Sequence, residues 1–576
     1  MNNRNDIQIT IKSKWLFIIA CLGIIGVIVF CCFYLISDYN YLAAWYLKMN
    51  DCFYRQEHWQ HDFFTQNTKN QGNIFCVTGL LVCILLQYHV IKRLKRPAQP
   101  LKIGIPKWNI WMVLLSIVIG TGTWVWGNSL VHQGFDEVFS AVNCASLPLF
   151  QTLSYYMLPN NHLLFNILNS TLFHFAGDKV FTGKLISLVC FWGIIVIIFS
   201  WLSGIISNKF LLIIATVVLA FQFPVWGFGF EARGYALYTF MEWLAFFAFL
   251  QYEKSKNTQW LHYYALACIA GYWCIPTFLY FHIAFLLFGL FWMIYTRKLD
   301  IKFWKTQLSI LLIVYLLYLP VVCFSGVHAL AGNQYVSAQI YGLLQFYHKG
   351  ADAFILYLNF YTSDFTRDHH IIDWVLFLSP LALFCFYRNK MAVLGGLFYL
   401  AMWLSCVGLA YVMKVWAIER TMSGHISISL GLTIYVIYLA LQKLNEVLRI
   451  SVFADLVLTI FLLTIGIHFG IGNKANASFG LYNNDINLKY DLLMHEGVDF
   501  IPRGSSIAFS DECFYWYYQC KLRGDKVSKC TTGDEQYFVR FGLDPLPEGC
   551  LNKYVLVKTV FKHGVIAVGY EIYKRK

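Results

Sequence analysis

Charge is what this sequence has least of. Of 576 residues, 13% are Asp, Glu, Lys or Arg, against roughly 25% in a soluble domain. Hydrophobic residues make up 58%, a balance that excludes an ordinary soluble enzyme. The common phosphate- and nucleophile-positioning motifs are missing as well. There is no Walker A loop, no Gly-x-Gly-x-x-Gly, no Gly-x-Ser-x-Gly elbow and no His-Glu-x-x-His. Nothing therefore points to ATP-driven, nicotinamide-linked, lipase-type or zinc-protease chemistry, and no nucleotide cofactor is expected. Internal repeats and low-complexity linkers are lacking too, which speaks against a repeat-built transporter.

What is present is a succession of apolar runs of about 18 to 22 residues, each long enough to cross ~30 Å of hydrocarbon. They predict about thirteen membrane spans: 15–37, 73–91, 108–127, 182–203, 210–226, 235–251, 260–276, 278–295, 306–325, 373–387, 391–413, 424–442 and 453–472. The first run has no small-residue cleavage site after it and reads as a retained helix.

The net charge of +13 follows the same alternation. Of the 44 Lys and Arg, 20 fall in short loops on the amino-terminal side, 10 on the opposite side and 14 after residue 473. This is the positive-inside bias, a topology signal rather than a nucleic-acid footprint. It places residues 128–181 and 327–372 in long outward loops and the polar tail outside. The expected fold class is an all-α polytopic membrane protein with a small C-terminal α/β extracytoplasmic domain. Its parts are a two-helix hairpin (1–107), a transmembrane core (108–474) and the tail domain (475–576). Strand composition recurs in the tail at Ser506–Phe509, Tyr554–Val557 and Val565–Tyr573.

Seventeen Cys occur. Thirteen are scattered through spans and loops as small apolar residues. Cys513, Cys520, Cys530 and Cys550 lie in the tail, where an oxidising compartment would allow two disulfides in any of three pairings. The alternative is a four-thiolate zinc site, although no Cys-x2-Cys knuckle is present.

The chemistry-bearing residues gather at the outer ends of the spans. Gly134–Asn166 is too apolar for a free loop and reads as a re-entrant or surface-lying segment. It opens with adjacent Asp136 and Glu137, which on a helix diverge by about 100°. One can face a cavity as general base while the other binds a cation or caps the helix, the ordinary role of acids in a first turn. The segment closes on Pro159-Asn160-Asn161-His162, a turn and helix-start signal whose His is either an interfacial tip or a ligand for phosphate, hydroxyl or cation.

Glu231 and Arg233 fall in the next outward turn, within Gly and aromatic residues. An Arg there can grip a phosphate by bidentate hydrogen bonds, or pair with Glu231 or Glu242. Glu419 and Arg420 offer a second charged clamp or a plain surface pair. Glu242, two turns into its span, is either a buried partner of a basic group or part of a substrate path. His58, His61 and Asp62 form a weak metal-binding pattern, and Asn169 and Asn476 begin formal glycosylation sequons.

The order of these features resembles the GT-C class of integral-membrane glycosyltransferases, and within it the protein O-mannosyltransferase and aminoarabinose–lipid A transferase group. The matching features are the outward Asp136-Glu137 after a span, two short amphipathic segments with Asn160-Asn161-His162 at the second, and Glu231-Ala232-Arg233-Gly234-Tyr235 at the next outward hairpin. A long outward loop and an external tail follow. The likeness covers about 108–472. It departs from the group in placing the Asp-Glu after the third span, not the first.

The resemblance implies Asp136 as catalytic base and Glu137 beside it shaping an acceptor or metal site, with His162 a further candidate metal ligand. Arg233 would hold the phosphate of a polyprenyl-phosphate sugar, with His162, Glu231, Glu419 and Arg420 as further substrate-binding candidates. The implied partners are that donor, membrane lipids and a lipid, glycan or protein acceptor, without nucleic acid. A divalent metal is the one candidate cofactor. The implied reaction is single displacement with inversion, at the periplasmic side of a bacterial inner membrane. Two other classes compete: a lipid or polysaccharide transporter or flippase, and a glycan polymerase or ligase of another membrane fold.

Overall fold

The computed structural model describes residues 7–11, 13–50, 53–94, 101–105, 110–131, 133–158, 161–331, 343–364, 371–448, 453–479, 496–529, 531, 533–542, 544, 550–560 and 569–576. Each of the thirteen apolar segments is helical. Among the described residues, nine helices are long and apolar enough to cross a membrane. Lys209–Phe221 with Phe223–Phe230, bent by 71°, makes a tenth if counted as one span. The count of thirteen thus includes three weaker helices. Tyr235–Ser255 carries Glu242, Glu253 and Lys254. Thr258–Cys274 has 17 residues. Ile371–Leu378 runs on as a 3-10 turn, Ser379–Phe386, rather than a continuous α-helix. The chain is a multi-pass integral membrane protein.

Local chemistry sets the ends of these helices. Asp178, Asn208, Asn257, Asp300 and Asn389 each accept backbone N–H bonds at a helix start, satisfying donors that the helix leaves unpaired. Lys256, Arg297 and Lys414 end three helices in the left-handed conformation, placing cations at the negative end of the helix dipole. The central helices Lys179–Leu202, Tyr235–Ser255 and Ser423–Leu448 are buried along most of their faces. Peripheral helices instead expose apolar rows, such as Ile19, Leu22 and Val29, and Leu456, Ile460 and Ile467. Patches of that kind suit lipid, not water.

Residues before the third span form more than a hairpin of two helices. Strand β1 (Ile7–Ile11) pairs antiparallel with β2 (Leu101–Ile105). The following loop folds into the helix Tyr39–Lys48 and a π-turn, Trp59–Phe63. Trp59 stacks on Tyr46 and Phe64 and donates its indole N–H to the Phe324 carbonyl at 2.8 Å. That anchors the loop to the helix Ile301–Ser325.

The tail carries a five-stranded mixed sheet. Its strands are β3 (Ser506–Phe509), β4 (Lys526–Ser528), β5 (Tyr537–Phe541), β6 (Tyr554–Val560) and β7 (Tyr570–Arg575). They lie in the order β4-β3-β5-β7-β6, with β3 parallel to β4 and β5 and the remaining pairs antiparallel. The helix Phe514–Leu522 packs this sheet onto the Asp136 segment.

Of the four tail cysteines, the two whose side chains are described form no disulfide. Cys513 and Cys520 are free, fully buried thiols. The Cys513 thiol lies 3.4 Å from the Ser510 hydroxyl, and both sulfurs belong to the apolar core of the domain, where a free Cys packs as a small hydrophobe. Cys530 and the side chain of Cys550 lie outside the described residues. So do Pro159, Asn160 and parts of the 327–372 loop.

Candidate active site

The segment that holds Asp136 is a short helix, Phe135–Ser140, continued by a π-turn, Ala141–Ala145. Glu137 fixes its start. One carboxylate oxygen accepts the Gly134 N–H at 2.7 Å and the other the Ala232 N–H at 2.6 Å. The side chain is buried, with the Lys184 ammonium 3.8 Å away. Each oxygen thus accepts a backbone donor. Glu137 ties the Asp136 helix to the turn that carries Arg233. Its neighbour Asp136 emerges about 100° further round the helix, and its side chain is 40% exposed.

The second component comes from the bent helix pair. After Phe221 the chain turns through 71°, runs through Phe223–Trp226 and a 3-10 turn, Gly227–Phe230, and reaches Glu231–Gly234. Arg233 is 5% exposed, and its guanidinium donates from Nη1 to Asp136 Oδ2 at 2.8 Å. It also lies over the Tyr235 ring, 4.9 Å from the centroid. Gly234 donates its N–H to His162 Nδ1 at 2.8 Å. A Cβ at Gly234 would sit 2.7 Å from that imidazole, so only glycine allows the approach.

Arg420 arrives from a third element, the 3-10 turn Glu419–Met422. Its Nη1 is 3.9 Å from the same Asp136 oxygen and its side chain is 34% exposed. It shares the Tyr235 ring with Arg233, at 5.8 Å from the centroid. One carboxylate is thus flanked by two guanidiniums, all three side chains grouped around one tyrosine.

The surroundings tune these groups. Burial works against the charge on Arg233, but Tyr235, Asp136, Glu231 and Glu137 more than offset it and hold its pKa above the ordinary arginine value. Burial pushes the Glu231 carboxyl up to about 8, opposed by Arg233 and reinforced by Glu137. His162 is held well below the ordinary imidazole value by burial, and then by the charges of Arg233 and Arg420. It is therefore a neutral ring whose Nδ1 accepts and whose Nε2 carries the proton.

Six of the seven candidate residues of this face come together: Asp136, Glu137, His162, Glu231, Arg233 and Arg420. Glu419 makes no ion pair with a described residue. Glu137 accepts two backbone N–H bonds and His162 Nδ1 accepts a third; no group of three or more His, Cys, Asp or Glu side chains able to hold a metal occurs among the described residues. His58 and Asp62 pair with each other at an exposed position and form no such cluster with His61.

Two contributors are not apparent from the sequence. Tyr235 adjoins the Arg233-Gly234 turn, and that adjacency is its one sequence cue. Lys529, far away in the tail, donates to the Val142 carbonyl at 2.7 Å and to Asn143 Oδ1 at 3.1 Å. Its burial lowers its pKa to about 8. Phe514 packs on Phe135 and Phe139, with ring centroids 4.6 and 5.2 Å apart, and Tyr518 donates to Asp178 at 2.6 Å. The tail domain thus lies directly against the Asp136 segment.

No protein-family model and no curated protein sequence matches the chain. Among the solved structures to which it is similar are the following three. One is the archaeal oligosaccharyltransferase AglB from Archaeoglobus fulgidus, in complex with an inhibitory peptide and a dolichol-phosphate: 11% identity, TM-score 0.42, covering 76% of this chain and 69% of that one. Another is ArnT from Cupriavidus metallidurans bound to undecaprenyl phosphate: 12% identity, TM-score 0.44, 80% and 97% covered. The third is the arabinosyltransferase EmbB from Mycobacterium smegmatis: 11% identity, TM-score 0.40, 84% of this chain and 49% of that one.

Proposed function

We propose that the protein is a membrane glycosyltransferase that moves a sugar from a polyprenyl-phosphate donor to an acceptor hydroxyl, by single displacement with inversion. The observation that carries this reading is the meeting of one partly exposed carboxylate, Asp136, with two guanidiniums, Arg233 and Arg420, at 2.8 and 3.9 Å. Acid and cations are the two parts such a transfer needs. The acceptor hydroxyl must lose its proton, and the departing phosphate must be stabilised as charge builds on it.

In this mechanism the lipid phosphate takes the guanidiniums of Arg233 and Arg420, and Asp136 is released toward the acceptor. Asp136 removes the hydroxyl proton as the acceptor oxygen bonds to the anomeric carbon from the face opposite the phosphate. The bond between anomeric carbon and phosphate oxygen breaks, and polyprenyl phosphate leaves on the two arginines. Neutral His162 and the Glu137 tie hold the turn that presents Arg233. No step runs through a metal. Glu419 has no place in this scheme.

The reading divides the chain as the sequence suggested: a hairpin module (1–107), a catalytic core (108–474) and a tail domain (475–576). The site and the tail lie on one face, assigned to the periplasmic side of a bacterial inner membrane. A lipid, glycan or protein hydroxyl is the acceptor.

The test is incubation of purified full-length protein with a panel of polyprenyl-phosphate sugars and cell-envelope acceptors. The expected result is stoichiometric release of polyprenyl phosphate with an inverted glycosidic product. A product of retained configuration, or transfer from a nucleotide sugar alone, contradicts the reading.

A further inference from the structure

Glu242 lies inside the membrane region, fully buried, and takes no part in the transfer described above. It is seven residues into the helix that follows Arg233, about 10 Å along its axis from Tyr235. Its surroundings give it a task. The helix Ser423–Leu448 begins three residues after Arg420, and like every helix it starts with unpaired N–H donors at the positive end of its dipole. No acid of its own lies in the first turn. Glu242 reaches across from the helix Tyr235–Ser255 and accepts the Gly424 N–H at 2.7 Å. The other carboxylate oxygen is 3.4 Å from Nδ1 of His425, which is also fully buried.

Two further observations mark this as a built contact. A Cβ on Gly424 would fall 2.2 Å from Glu242 Oε2 and 2.4 Å from its Cδ, so glycine at this position is what lets the carboxylate reach the helix end. The contact also sits in a row of bonds joining the same two helices. Tyr238 donates to the Thr421 carbonyl at 3.0 Å, the Thr239 and Ser423 hydroxyls are 2.5 Å apart, and Trp243 donates to the Ser427 hydroxyl at 2.9 Å. One of the joined helices follows Arg233 and the other follows Arg420. A buried carboxylate is costly to keep in a membrane. As a cap from another helix it joins the helix that follows Arg233 to the helix that follows Arg420.

We propose that Glu242 is a positioning residue for the phosphate clamp, acting on Arg420 by capping the helix Ser423–Leu448 from the neighbouring helix. This rests on the reading of Arg233 and Arg420 as the clamp. The probe is undecaprenyl phosphate, titrated into the detergent-solubilised full-length protein, with the dissociation constant and the melting temperature measured for each variant. Glu242→Gln, which keeps one acceptor oxygen and puts an amide nitrogen in place of the other, weakens binding by about three- to tenfold. Arg420→Ala weakens it by about tenfold or more. The double variant binds no more weakly than Arg420→Ala alone, because Glu242 works through Arg420.

A double variant whose loss is the product of the two single losses overturns the proposal, since it makes Glu242 a general stabiliser. So does Glu242→Gln binding at the wild-type level. Unchanged binding in both Arg420→Ala and Arg233→Ala overturns the clamp reading, and this proposal with it. Should Glu242→Gln not fold, Gly424→Ala replaces it in the same cycle. It keeps the carboxylate but displaces it, and the same outcomes decide.

Discussion

Arg233 Nη1 lies 2.8 Å from Asp136 Oδ2. The cation assigned to the donor phosphate and the base assigned to the acceptor hydroxyl are each other's partner. The pairing gives a buried guanidinium a counter-charge. In the proposed mechanism it also orders events: the donor phosphate displaces the carboxylate from Arg233, and the carboxylate then takes the proton.

A first prediction concerns the geometry of that guanidinium. Arg233→Lys retains the charge but loses the planar fork and the stacking on Tyr235. Undecaprenyl phosphate binding weakens by about tenfold or more, measured by titration at fixed ionic strength. Wild-type affinity in the lysine variant places the phosphate elsewhere.

Glu137 separates structure from chemistry. Glu137→Ala strands the Gly134 and Ala232 N–H groups that it now satisfies. A buried donor left unpaired costs about 1–3 kcal/mol, so the thermal midpoint falls and transfer falls with it. Glu137→Gln, with one acceptor oxygen, recovers part of both. Loss of transfer at an unchanged midpoint would make Glu137 a reacting group instead.

Glu231 predicts a pH dependence. Its folded-state pKa is raised to about 8 from the ordinary 4.5. Between these values the folded protein holds a proton that the unfolded chain has lost, so this group's contribution to stability falls as pH rises through that window. Above about pH 8 the side chain ionises beside Arg233 and competes for it with the phosphate. A phosphate monoester has passed its second ionisation, near ~6, by then. Undecaprenyl phosphate binding therefore weakens by about threefold from pH 7 to 9, and Glu231→Gln flattens that limb. A slope unchanged by the substitution rules Glu231 out as its source.

The tail domain acts on the same site through Phe514. Phe514→Ala removes the ring that packs on Phe135 and Phe139, a change that costs ~3–5 kcal/mol at a buried position. The tail becomes protease-sensitive and transfer falls, while the undecaprenyl phosphate affinity stays within about twofold, because the arginines stand on other elements. Equal loss of donor binding would place the tail in the donor site.

Parts of this were legible in the sequence. Hydropathy marks the nine helices that are long and apolar enough to cross a membrane among the described residues, because lipid demands long apolar runs. The position of Arg233 on the Asp136 face follows from counting spans between them. The limits appear at particular residues. Glu137 in a first turn reads equally as cap or catalyst, and the cap is visible only in its two bonds, one of them to Ala232 nearly a hundred residues on. Cys513 and Cys520 invite a disulfide by count, yet their sulfurs are absorbed by the domain core. The alternating Ile7-Gln8-Ile9-Thr10-Ile11 and Leu101-Lys102-Ile103-Gly104-Ile105 are visible strand patterns hidden in basic flanks. The partner of Glu242 lies 182 residues away on another helix, and no local periodicity encodes it.

The central claim is that Asp136 is the base and not part of the donor site. Asp136→Asn tests it directly, with single-turnover transfer and undecaprenyl phosphate binding measured on the same preparation. The account predicts that transfer falls by about 10²–10⁴-fold, while the phosphate binds at least as tightly as to the wild type, because Arg233 no longer has a carboxylate to displace. Transfer near the wild-type rate, or a parallel loss of phosphate binding, would contradict it.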